Sequence, residues 1–159
     1  MLVFVFSNTS TQVPKRTPPE EQTVFGAEDE HWFRQVPVPE EVLRILREVN
    51  QSSADEFPAD SLLASEIHLR DAQEADLILM GIHILRLPHA ALFWIFRKTR
   101  DRFELILSTG GDMLTVLDAK SNGYRRIRVE NNTASTTTTA IYSFNGREYR
   151  LSKKETKPI

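Results

Sequence analysis

The chain has 159 residues, 40% hydrophobic and 26% charged, with a net charge of −2 and no cysteine. That length and composition suit one domain with its own core, and they exclude global disorder. The missing cysteine excludes disulfides, thiolate metal sites, iron–sulfur clusters and cysteine nucleophiles, and no stretch approaches the roughly 18–20 apolar residues of a membrane span.

The small net charge hides an asymmetry. Residues 1–76 hold 6 Lys/Arg and 15 Asp/Glu, a charge of −9, whereas residues 77–159 hold 14 and 7, a charge of +7. Two readings follow: the halves attract each other within one fold, or a basic face meets an acidic partner or nucleic acid.

The chain opens with the apolar run Met1–Phe6, with no basic residue before it of the kind that starts a signal peptide. It reads as a strand or as the tail of an h-region, with the second preferred. Residues 1–38 read as a tether, because Pro14, Pro18, Pro19 and Pro37 remove donors and fix φ. His31, Trp32 and Phe33 interrupt its polarity and are expected to pack it onto the domain.

The first regular element is a helix over 39–50. Pro39 suits a helix start, Glu40 and Glu41 complement the positive end of the dipole, and Val42, Ile45, Leu46 and Val49 form one apolar stripe. A loop and a short helical turn near 59–63 follow. From residue 65 the period changes to 2, with strands expected at 66–70, 76–80, 91–97, 103–108, 113–117, 125–130, 137–144 and 147–151. The connections are too short for parallel crossovers, so the strands are antiparallel neighbours. The expected fold is α+β: an N-terminal helical segment packed on an antiparallel meander of about six to eight strands, one domain over 39–152 and a charged, frayed tail at 153–159.

Strand patterning adds detail. Leu77–Met80 and Leu92–Phe96 are apolar on both faces, so they belong to central strands covered on both sides, one by the helix. Residues 125–130 alternate, with Arg126 and Arg128 opposite Ile127 and Val129, which gives one wet face. Gly110-Gly111 reads as a hairpin turn. Asn145-Gly146 reads as a two-residue type I′ turn that sets Tyr142 opposite Tyr149.

No phosphate loop, zinc helix or nucleophile elbow is present, so the sequence offers no catalytic residue, no metal-ligand set and no cofactor. Asp71, Glu74 and Asp76 lack the glycine of a calcium turn and read as ordinary turn residues. The candidate binding residues are Arg126, Arg128 and Arg150 on the basic strands, together with His83 and His89, which flank the apolar Ile84–Pro88. Basic residues interleave with Tyr124, Tyr142 and Tyr149, but a pI of about 6.1 argues against nucleic acid.

The stretch Glu66–Asp71…Ala75–Gly81, followed by Phe93–Lys98 and Phe103–Ser108, resembles the strand–acidic turn–strand unit of FG-GAP/VCBS type in exported bacterial proteins. Asn122–Ile127 and Tyr142–Tyr149 are similar to the closing strands of uncharacterised periplasmic or secreted bacterial domains. The resemblance implies a periplasmic or secreted protein of unknown function, with a cytoplasmic one as the alternative, and it implies no catalytic residue. The leading expectation is a non-catalytic binding or inhibitor/immunity-type module with an acidic protein partner. A small enzyme using scattered carboxylates and histidines, and a structural domain of a larger assembly, are the alternatives.

Overall fold

The computed structural model describes residues 21–71 and 75–159. The apolar run Met1–Phe6, the prolines at 14, 18 and 19, and Glu74 lie outside the described residues. Within them, one helix and nine strands form: β1 (Val24–Gly26), α1 (Glu40–Asn50), β2 (Leu62–Ile67), β3 (Asp76–Gly81), β4 (Ala91–Lys98), β5 (Phe103–Gly111), β6 (Met113–Ser121), β7 (Tyr124–Asn132), β8 (Thr136–Phe144) and β9 (Tyr149–Pro158). The chain is thus β-rich, and α1 is its one α-helix among the described residues.

The strands make two antiparallel sheets, not one meander. Sheet B runs β2-β3-β4-β5 and sheet A runs β1-β6-β7-β8-β9. The break falls at Gly110–Asp112, where a hairpin was expected. β5 and β6 do not pair; the chain leaves one sheet and enters the other. Gly111 makes this possible. A Cβ there would lie 2.5 Å from Val129 Cγ1 and 2.9 Å from the Glu130 carbonyl oxygen, so only glycine lets the strand turn so close to β7.

Both faces of β3 and β4 are covered, as their apolar runs require. One face carries Leu77, Leu79, Trp94 and Phe96, and packs beneath Val42, Leu43 and Leu46 of α1 and Phe57 of the following loop. Phe57 meets Trp94 edge-on at 5.6 Å. The other face carries Ile78, Met80, Phe93 and Ile95, and packs on Phe25, Leu114, Ile127, Val129, Phe144 and Tyr149 of sheet A. The layers are α1, sheet B, then sheet A. Val49, placed on the apolar stripe, is 59% exposed, and Leu43 takes its role in burial. The helix ends one residue later, with Gln51 in the left-handed conformation (φ 52°), and its last turn overhangs the sheet.

A β-bulge explains a second difference. Ile95 faces Leu107 while Phe96 faces Leu105, leaving Ile106 as the extra residue. Alternation therefore breaks. Phe103 and Leu105 lie half-buried on the helix side, while Ile106 and Leu107 both enter the inter-sheet core.

The turns also differ from expectation. Asn122-Gly123 is the two-residue turn with both φ values positive (50° and 78°), joining Ser121 to its partner Tyr124. At 145–148 the Asn145 carboxamide oxygen instead accepts the amides of Arg147 and Glu148, both at 2.9 Å, and closes a four-residue loop. Phe144 therefore faces Tyr149, and Tyr142 faces Leu151 rather than Tyr149. The stretch Lys153–Pro158, expected to fray, continues β9 as the partner of Thr136–Ile141, because β8 offers it an otherwise unpaired ladder.

The glycine pair gives a contrast that thermal or urea unfolding can measure. Gly111→Ala is expected to lose about 1–3 kcal/mol by overpacking against Val129. Gly110→Ala, whose Cβ would sit at an ordinary 3.4 Å from the Ala91 carbonyl oxygen, should lose well under that.

Candidate functional site

Two turns place the polar chemistry at one end of the sandwich. The β4–β5 turn brings Arg97, Arg102 and Glu104 together: Arg97 bonds the Glu104 carboxylate, and Arg102 Nη2 reaches its other oxygen at 3.0 Å. The β8–β9 loop supplies Arg147, Glu148 and Arg150, with Arg150 Nη2 at 2.5 Å from Glu148 Oε1. Beneath them lie aromatic rings. Tyr124 stacks on Phe144 at 3.9 Å, Tyr149 meets Phe144 edge-on at 5.5 Å, and the Arg97 guanidinium sits 5.8 Å from the Phe144 centroid.

A buried ion pair anchors the same end. The Asp76 carboxylate is wholly enclosed. It accepts Arg70 Nη2 at 2.8 Å and the Lys98 amide at 3.0 Å, while Arg70 Nη2 also bonds the Lys98 carbonyl oxygen. Burial pushes the Asp76 carboxyl upward, and the Arg70 and Lys98 bonds pull it partly back. Tyr149 is pushed well up by burial, so its hydroxyl stays a neutral donor, to the Arg125 carbonyl oxygen at 2.7 Å. Asp71, the other described member of the acidic turn, lies 2.5 Å from Lys120 Nζ. Among the described residues no three His, Asp or Glu side chains converge as a metal site.

A seam opens between β5, the edge of sheet B, and β9, the edge of sheet A. One cavity of about 360 Å³ is lined by Leu105–Ser108 on one side and by Tyr142 and Glu148–Leu151 on the other. A second, of about 490 Å³, is lined by Arg97, Arg102, Glu104, Arg147 and Glu148. Leu105, Ile106 and Glu148 line both, so the two form one cleft. Four arginines, Arg97, Arg102, Arg147 and Arg150, face two carboxylates around it.

The arginines singled out from the sequence are divided. Arg150 rims the seam. Arg126 and Arg128 lie on the outer face of sheet A, opposite the buried Ile127 and Val129. There Arg128 faces Ile141, which faces Lys153, and Glu130 approaches Arg128 at 3.7 Å. Among the described residues no acidic N-terminal side chain pairs with them; Glu28 instead reaches Arg86 at 3.7 Å. The two halves of the chain do meet elsewhere: Glu21 bonds Arg125 at 3.1 Å, and Asp71 bonds Lys120. His83 and His89 do not share a site. His83 lines a cavity of about 550 Å³ with His31, Glu30, Ile82 and Arg86, and His89 lines another of about 660 Å³ with Glu28, Asp112 and Asn132.

Sequence reasoning missed Arg97 and Arg102. The signal was their position at the β4–β5 turn, Arg97 before it and Arg102 at its end. Their proximity to Arg147 comes from the stacking of two sheets, which no local pattern encodes.

No protein-family model, curated protein or solved structure matches this chain.

The Glu104 pairing has a pH signature. Its bonds from Arg97, with a smaller contribution from Arg102, hold the carboxyl below its ordinary value of 4.5. A lowered folded-state pKa means that its stabilisation is present above 4.5 and lost as pH falls through the depressed value. Glu104→Gln should therefore lower stability by about 1 kcal/mol at neutral pH. The difference from wild type should close on acidification, which urea titrations at stepped pH will follow.

Proposed function

We propose that the protein is a non-catalytic binding module, of inhibitor or immunity type, that holds an acidic protein segment in the seam between β5 and β9. The observation that carries this reading is the excess of guanidinium groups around a cleft walled by Leu105, Ile106, Tyr149 and Leu151. Guanidinium groups bind carboxylates in a forked geometry, and an apolar wall beside them lowers the local dielectric. Interfaces often combine arginine with tyrosine in this way. The cations of the outer face of sheet A stand apart from the seam: Arg128 lies near Glu130 at 3.7 Å and Lys157 near Glu155 at 3.5 Å, and none of Arg126, Arg128 or Lys153 lines the cleft. The exported compartment, periplasmic or secreted, enters the proposal through the sequence resemblance alone.

The test is binding of short labelled peptides, one glutamate-rich and one lysine-rich, to the wild type and to the Arg147→Glu/Arg150→Glu double variant. Both positions are exposed, so folding should be unchanged. The glutamate-rich peptide should bind the wild type, weaken by about tenfold or more in the variant, and lose affinity as salt rises. Equal binding of both peptides, or no effect of the double variant, would overturn this reading.

A further inference from the structure

An antiparallel edge strand turns every second residue's N–H and C=O outward, and proteins guard such edges. Among the described residues the two sheets have four edges, and three of them are guarded. On β2, the Val36 amide bonds the Ala64 carbonyl oxygen at 2.9 Å, Gln35 bridges to Ser65, and Ser65 Oγ bonds the Arg34 carbonyl oxygen. β1 is three residues long. β9 carries Lys153, Lys154, Lys157 and Pro158, residues that oppose pairing.

The β5 edge differs. Its ends are occupied: the Phe103 amide bonds Glu41 Oε1 at 3.4 Å, the Gly110 carbonyl oxygen accepts Asn131 Nδ2 at 3.4 Å, and Thr109 Oγ1 meets the Tyr142 hydroxyl at 3.1 Å. Between these ends, among the described residues, the backbone of Leu105–Ser108 bonds nothing beyond β4. Thr99 and Arg102 form the bonded pair next to the turn, with the Thr99 amide 2.8 Å from the Arg102 carbonyl oxygen. Glu104 therefore turns its polar groups toward β4, and Leu105 turns its own outward. Beyond the bulge at Ile106, Gly110 turns its carbonyl outward to Asn131, so two residues back Ser108 also points outward. This open stretch carries no Lys or Pro, and it forms the wall of the arginine-rimmed cleft.

We propose that the acidic partner binds by adding an extended strand to the open edge of β5 at Leu105–Ser108, with its carboxylates on Arg97, Arg102, Arg147 and Arg150. This rests on the seam being the binding surface, and it names the mode of binding and the partner's conformation. Main-chain pairing supplies affinity that does not depend on the partner's side chains, and the guanidinium rim selects carboxylates at alternate positions. A second copy of this chain is a poor occupant, because pairing β5 with its own copy would bring two arginine rims together, and the other long edge, β9, is lysine-rich.

The experiment uses the full chain and a blocked peptide alternating glutamate and valine. Three readouts are compared: affinity, hydrogen exchange at the Leu105 and Ser108 amides, and affinity for the same peptide N-methylated at alternate residues, made in both registers. Strand addition predicts slowed exchange at Leu105 and Ser108. It also predicts about tenfold weaker binding when one register is methylated and little change when the other is. Binding without slowed exchange, or indifferent to methylation in both registers, overturns strand addition and leaves arginine recognition of the peptide standing. Absence of binding, or equal binding of a lysine–valine counterpart, overturns strand addition and the binding surface together.

Discussion

The structure depends on one constraint: β3 and β4 are apolar on both faces. A strand with two greasy faces must be covered twice, and a chain of this length has limited material for the purpose. Here α1 and Phe57 cover one face and an entire second sheet covers the other. Sheet A needs only one apolar face, so its other face stays polar and carries Arg126 and Arg128. The crossing at Gly110–Asp112 follows as well. Four strands complete sheet B, and the chain must then leave its plane to cover it, which only a residue without a side chain permits so close to Val129.

Two stacked sheets that do not close leave edges, and the edges decide where a partner can act. Guarding by lysine, by brevity or by a covering segment removes β9, β1 and β2. What remains is the middle of β5, at the end where the Arg70–Asp76 pair and the Tyr124–Phe144–Tyr149 rings fix the geometry. The rings and the Asp76 carboxylate are buried, so the arginines above them stand on a packed floor. Four arginines against two carboxylates leave this rim with a net positive charge.

Much of the fold was legible in the sequence because its signals are local. Periodicity and apolar runs located seven of the nine strands and placed β2 four residues late, at 66–70 instead of Leu62–Ile67; the apolar runs marked β3 and β4 as central, and Pro39, Glu40 and Glu41 marked the start of α1. β1 escaped because three residues, Val24–Gly26, carry no pattern; Phe25 is held by Trp32 at 4.8 Å and by the inter-sheet core. The partition into two sheets was not legible, since Gly110-Gly111 serves a hairpin and a corner equally well until Val129 is seen beside it. Asn145-Gly146 misled because the Asn145 side chain can cap a longer loop as readily as its backbone can form a tight turn. Of the site, Arg150 was visible as part of a basic strand. Arg97 and Arg102 were not, because the cleft they rim is made by stacking rather than by sequence neighbours.

The central claim is that β5 presents an open edge beside a buried core. Residue-resolved hydrogen exchange of the free protein tests it directly. The Leu107 amide, bonded to β4, should exchange as slowly as those of β3 and β4. Leu105 and Ser108, in the same strand, should exchange at least about a hundredfold faster. Exchange at Leu105 and Ser108 as slow as at Leu107 would contradict the account, because it would mean that something in the folded chain already covers that edge.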